Sequence, residues 1–267
     1  MSNAEQSYQT VAVRREGPVE WLTLNRPDNL NGFTQTMVDE LLDYLTGKLD
    51  DHATRIIVLR GAGRAFCAGA DIKAKLSGED SIEFPDGAER LFRLVPLMRK
   101  IPQPIIALLH GATCGGGFAL ALGADFRIGG RSLKMNDAFA TIGMSGCEMG
   151  LSYFLPRLVG LSVARELIYT GRFVDAERAL RLGLVSEVVD DEGLEAAAMP
   201  LINDLLAVAP TGLRLSKRTL DACLAVDDLE TVIAIETHAQ RVCQDVGDFD
   251  EAMRAFIEKR KPVFHGA

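Results

Sequence analysis

The run His110-Gly111-Ala112-Thr113-Cys114-Gly115-Gly116-Gly117-Phe118-Ala119 joins one apolar stretch, Ile105 to Leu109, to a second through three successive glycines. The periodicity predicts a buried strand running into an apolar helix that starts within the glycines. Glycine lacks a Cβ, so a ligand atom can approach the main chain closely there. The first turn of a helix also presents N–H groups without intrahelical acceptors, at the positive end of the dipole. A second segment, from Gly61 to Lys73 (GAGRAFCAGADIK), follows the strand-like Arg55 to Arg60 and consists largely of small residues. It leaves room for another N–H aimed at the same oxygen, and two such donors form an oxyanion hole.

Proton transfer needs an acid or base beside that hole. Glu148 stands in Gly143-Met144-Ser145-Gly146-Cys147-Glu148-Met149-Gly150, a turn of otherwise small and apolar residues. Apolar surroundings raise a carboxyl's pKa toward neutrality, which suits proton shuttling. The competing readings are a cap for a helix over 152–158 or an ion pair with Arg157. Asp137 is a weaker candidate, expected to face away from the Glu148 pocket. His110, at a strand end, reads as a hydrogen-bonded structural residue. Cys114 and Cys147 lack an evident His partner and read as packing thiols, and Asp71 and Asp125 as loop anchors. A dinucleotide site fits poorly, because Gly61-Ala62-Gly63-Arg64-Ala65-Phe66 starts like the glycine fingerprint but ends in Phe, with no acidic residue at the expected distance.

The elements that position these residues alternate in type. Two strands, 11–13 and 19–24, flank a Gly17-Pro18 turn; a helix over 34–49, a strand over 55–60, a helix over 88–100, a strand over 104–109, a helix over 116–122 and a strand over 124–129 follow. Strands alternating with helices imply parallel crossovers and an α/β layer. Beyond Ser152 the pattern turns helical, over 152–158, 161–169, 175–181, 193–207, 210–224, 228–243 and 247–259. The acidic, Gly- and Pro-containing 77–87 reads as a mobile loop.

Composition narrows the partners. The 267 residues are 48% hydrophobic and 25% charged, as in a globular protein with a sizeable core, and the net charge of −8 argues against nucleic acid or an anionic membrane. Five cysteines without CxxC pairing read as reduced thiols in the cytoplasm rather than as disulfides or metal ligands. The polar Met1 to Thr10 and the lack of an uninterrupted apolar run of about 18 residues read against secretion and membrane spanning.

The strings AFCAGADIK, HGATCGGGFALALGAD, LPRLVG at 155–160, TGR at 170–172 and AFIEKRK at 255–261 occur in an order that resembles the crotonase (enoyl-CoA hydratase/isomerase) family from about Val11 to Phe264. The resemblance implies a spiral of ββα turns forming two sheets over about 1–200, then a helical trimerisation region over 201–267, with trimers or dimers of trimers. It implies an acyl-CoA thioester as substrate and no cofactor beyond the coenzyme A that substrate carries. The backbone N–H groups of Ala70 and Gly116 become the oxyanion donors, and Ala68, Ala70, Asp71, Ile72 and Lys73 become CoA contacts. Phe139 lines the substrate, and Phe256 and Lys259 reach CoA across a subunit interface; Arg26, Arg260 and Lys261 are further sources of positive charge for its phosphates.

The acids depart from the family pattern. Hydratases of the family carry two glutamates, at the places held here by Ala119 and Phe139. Glu148 matches, allowing one inserted residue, the acid of dienoyl-CoA isomerase-like members. The expectation is therefore double-bond isomerisation ahead of hydration, with Ala70, Gly116 and Glu148 catalytic. The alternative is a non-catalytic acyl-CoA-binding homologue that kept the hole and lost the chemistry.

Overall fold

The computed structural model describes residues 8–83 and 86–264, so the expected 77–87 loop falls partly outside the described residues. The chain opens with an antiparallel hairpin, β1 (Val11–Glu16) and β2 (Val19–Leu24), turning at Gly17. Helix α1 (Gln35–Gly47) follows, its first turn capped by Thr34, whose hydroxyl accepts from Met37 N at 3.3 Å. Strand β3 (Ile56–Gly61), helices α2 (Ile72–Ser77), α3 (Asp86–Phe92) and α4 (Leu94–Lys100), strands β4 (Ile105–Leu109) and β5 (Ala112–Cys114), helix α5 (Gly116–Gly123), and strands β6 (Phe126–Gly130) and β7 (Lys134–Asn136) complete the first half. Then come α6 (Leu151–Thr170), β8 (Val174–Asp175), α7 (Ala176–Arg181), β9 (Glu187–Val189), α8 (Leu194–Ala207), α9 (Pro210–Cys223), α10 (Leu229–Asp245) and α11 (Asp248–Ile257).

Six strands form one sheet in the order β1-β2-β3-β4-β6-β9, parallel from β2 onward, and β5-β7-β8 form a second. Residue parity shows why the main sheet is covered on both faces. Leu22, Leu24, Ile57, Leu59, Ile105, Ala107 and Leu109 point into one core with Leu41, Leu45, Leu94, Met98 and Leu120 of the helices. Trp21, Ile56, Val58, Ile106, Leu108 and Ile128 point the other way, onto Leu194, Ala198, Ile202 and Leu205 of α8. Each of the buried Leu, Ile, Val and Met side chains among them contributes roughly 1.5–3 kcal/mol.

Several sequence expectations need correction. The helix over 88–100 is two helices: Pro96 has no N–H to offer the carbonyl of Phe92, and the chain tightens at Arg93, whose N–H bonds to Arg90 O at 3.1 Å. Helix α2 has no counterpart among the expected elements; its Asp71 cap, accepting from Ala74 N at 3.1 Å, starts a helix of only six residues. The second sheet and β9 escaped notice because their strands are only two or three residues long. The two helices expected over 152–158 and 161–169, by contrast, are both present, joined within α6 across a kink at Gly160, whose φ of 76° and ψ of 159° lie outside the helical region.

Candidate active site

Both predicted donors sit where strand endings meet. Cys67 pairs with Thr113 in an isolated parallel bridge, with Cys67 N donating to Ala112 O at 3.1 Å and Cys114 N to Cys67 O at 2.9 Å. This stitches the 61–73 segment directly to the strand that leads into α5. Gly69, at φ 92°, continues the approach: a Cβ on it would lie 2.9 Å from Cys114 O and 3.4 Å from Gly116 N, so the two segments meet only because residue 69 has none.

Phe33 then fixes the other side. Its N–H donates to Gly69 O at 2.8 Å and its carbonyl accepts from Asp71 N at 3.0 Å, the pattern of a parallel bridge to Ala70. In that pattern Ala70's own N–H turns away from Phe33, and among the described residues it has no acceptor. Gly116 is the first residue of α5, so its N–H has no acceptor either, while Gly115 before it is held by Asn136 O at 3.0 Å. Two unpaired main-chain donors thus stand on abutting segments, one on exposed Ala70 and one on buried Gly116.

Glu148 immediately precedes a residue that packs on this place. A Cβ on Gly116 would lie 3.2 Å from Met149 Sδ and 3.1 Å from the Phe33 ring, so the residue after Glu148 packs over the donor. Glu148 is half-buried, and its Oε2 is enclosed without a hydrogen-bond partner. Burial pushes its pKa up, and the nearby Asp137 carboxyl pushes it the same way. Neither competing reading holds. The cap of α6 is Gly150, with no side-chain bond, and Arg157 donates to Tyr153 O at 2.7 Å with its guanidinium 3.8 Å from the Tyr153 ring centre.

Of the hydratase positions, Ala119 is fully buried and Phe139 is 8% exposed, its ring beside Gly115. Asp137 is not turned away, as expected, but fully buried next to the Glu148 loop. His110 is structural, its Nε2 2.9 Å from Gly63 O. Burial pushes the Cys114 thiol up to about 11, which suits packing rather than nucleophilic work, and Cys147 is exposed. Asp125 anchors its loop through Ile105 N at 2.8 Å, Arg99 at 2.8 Å and Lys217 at 3.0 Å.

The residues expected to meet CoA divide into two groups. Ala68, Asp71, Ile72 and Lys73 flank Ala70, with Ile72 and Lys73 exposed on α2. Asp71 pairs with Arg26 at 2.9 Å, and Arg26 also donates to Gly32 O at 2.6 Å, so Arg26 is engaged within the fold. Phe256 is 81% exposed on α11, which packs on α10, and Lys259 lies just beyond it at φ 54°. Within one chain these two are not gathered to the donors. Arg260 is held by Glu251 and Glu258, and Lys261 is exposed.

Comparison with known proteins places the chain in a family. A family model described as enoyl-CoA hydratase/isomerase matches residues 14–267. The chain is 37% identical over 250 residues to the probable enoyl-CoA hydratase EchA12 of Mycobacterium tuberculosis, covering 91% of this chain and 88% of that one. It is 35% identical over 255 residues to the 1,2-epoxyphenylacetyl-CoA isomerase of Escherichia coli, covering 94% and 96%. The crystal structure of an enoyl-CoA hydratase from Bacillus anthracis superposes with a TM-score of 0.91 at 33% identity, covering 97% of this chain and all of that one.

Proposed function

The chain belongs to the enoyl-CoA hydratase/isomerase family, whose members are acyl-CoA enzymes, and we propose that it is a double-bond isomerase acting on an enoyl-CoA thioester. The observation that carries the reading is the half-buried carboxyl of Glu148, next in the chain to the Met149 that packs on Gly116, with Ala119 and Phe139 where a water-activating pair of acids would stand. One carboxylate can take a proton from one carbon and return it to another. Ala70 and Gly116 N–H groups hold the thioester oxygen while Glu148 removes a proton from carbon 2 of a 3-enoyl thioester. The C–H electrons pass into the dienolate and charge builds on that oxygen, where fixed donors stabilise it most. Protonated Glu148 then delivers the proton to carbon 4, the double bond comes to rest between carbons 2 and 3, and no proton or electron is gained or lost.

The raised pKa of Glu148 suits both halves of this cycle near neutral pH. Ala68, Asp71, Ile72 and Lys73 hold the CoA end of the substrate, Phe139 lines the acyl side, and coenzyme A enters only as part of the substrate. The relatives named above carry enzyme names, which favours turnover over a binding-only role. The test is a panel of 2-enoyl, 3-enoyl and dienoyl thioesters. Interconversion of 3- and 2-enoyl isomers without a 3-hydroxyacyl product is expected, whereas faster formation of the hydroxyacyl product replaces the isomerase reading with hydration.

The same reading places Phe256 and Lys259 at the CoA of a neighbouring subunit in a homotrimer or dimer of trimers in the cytoplasm. Support comes from the apolar side chains left exposed on α9 to α11, among them Leu220, Leu229, Phe249 and Phe256. Light scattering at micromolar concentration is expected to give three or six chain masses. A clean monomer removes both the interface and the shared CoA contact. No single helix among the described residues is long and apolar enough to cross a membrane.

A further inference from the structure

Two carboxyl groups, not one, lie behind the donor pair. Asp137 directly follows β7 and is fully buried. Its Oδ1 accepts the N–H of Phe139 at 3.1 Å, but its Oδ2 has no partner. That orphan oxygen presses against Gly146, where any Cβ would collide with it; Gly146 is two residues before Glu148. Glu148 Oε2 is likewise enclosed and unpartnered. A buried acid with a lone unsatisfied oxygen is costly to keep, and two in one place without a cation are costlier.

Among the described residues, the surrounding elements supply no cation. Lys134 on β7 is exposed, and Asp175 on β8 caps α7 through Arg178 N at 2.8 Å. On α6, Arg165 is exposed and Glu166 is held by Arg172 at 2.8 Å and Arg178 at 2.9 Å. Cys114 on β5 is a buried neutral thiol, and Cys147 on the Glu148 loop is exposed. Asp137 is the charged group that acts on Glu148.

We propose that Asp137 is a positioning residue for Glu148: its buried carboxyl, packed against Gly146, seats the Gly146-Cys147-Glu148 turn and stands as a second acid behind the proton carrier. The inference rests on Glu148 being the proton carrier. Burial pushes the Asp137 carboxyl up to about 6, so it ionises just below neutral pH, where its charge begins to oppose that of Glu148. The pair thus becomes a stronger base than an isolated carboxylate in water, through an effect that no contact with substrate is needed to produce.

The test is the pH profile of kcat/KM for Asp137→Asn, which keeps shape and removes charge. Glu148 must be ionised to accept a proton, so the acid limb reports its titration, and losing a neighbouring negative charge should move that limb about one pH unit lower. A folded variant whose limb stays within a few tenths of a unit of wild type overturns the proposal, since a merely structural role would change the rate without moving the limb. If Asp137→Asn does not fold, infrared titration of the protonated carboxyls in wild type answers instead: the Glu148 band, identified by its loss in Glu148→Gln, should vanish at higher pH than the Asp137 band, and a Glu148 band that vanishes at or below the Asp137 midpoint overturns the coupling. A Glu148→Gln enzyme that keeps its rate overturns the isomerase reading and the role of Asp137 with it. An inactive one with an unmoved limb in Asp137→Asn overturns Asp137 alone.

Discussion

Glu148→Gln is expected to lower turnover on the best thioester of the panel by about 10²–10⁴ while leaving affinity for a saturated acyl-CoA little changed. The amide fills the volume of the carboxyl but cannot take up a proton, and the two donors that hold the thioester oxygen belong to other segments. Among the described residues the carboxyl also makes no hydrogen bond through Oε2, caps no helix and pairs with no arginine, so its loss removes little that holds the fold. Steady-state rates with calorimetric binding separate the outcomes. A Gln variant at the wild-type rate makes Glu148 structural, and wild-type protein that binds tightly but turns over nothing restores the binding-only alternative.

Gly116→Pro deletes one donor and should reduce turnover by about 10²–10³. Proline is usually a harsh probe, but the local geometry makes it a mild one here. Gly116 is the first residue of α5, the helix position that best accepts proline. Gly115 before it lies at φ 51° and ψ −120°, the mirror image of the extended conformation that precedes proline, and Gly115, being achiral, adopts it without strain. The added atoms meet the Phe33 ring and Met149 Sδ, at 3.1 and 3.2 Å from the Cβ position, and both side chains can yield by a few tenths of an ångström. Circular dichroism and thermal melting establish that the variant is folded. A folded Gly116→Pro enzyme with undiminished turnover removes the N–H of residue 116 from the mechanism.

What the sequence made legible follows from the range over which each signal acts. The donor at Gly116 was visible because a strand, three glycines and an apolar helix lie within twenty residues, and the long strands β2, β3 and β4 announced themselves as continuous apolar runs. The short strands β5, β7, β8 and β9 did not, since two or three residues carry no periodicity; their pairing is decided by the strands they meet. Asp137 was misread for a related reason. Its side is set by where β7 ends and by the distant Gly146, which no local pattern encodes. Phe33 went unnoticed altogether, because its importance lies in main-chain bonds to Gly69 and Asp71 some forty residues away, to which its identity as an aromatic residue gives no clue.

The placement of both donors on the main chain has an evolutionary consequence. Point substitutions alter side chains and, proline aside, leave every amide in place, so the polarising half of this site is shielded from most mutational drift. The acids have no such protection: one base change can erase a glutamate. A lineage can therefore lose carboxylates at positions such as 119 and 139, acquire another at 148, and pass between reactions without ever abandoning the shared intermediate. The backbone serves as an inherited constant, and the side chains around it as the variable that selection reads.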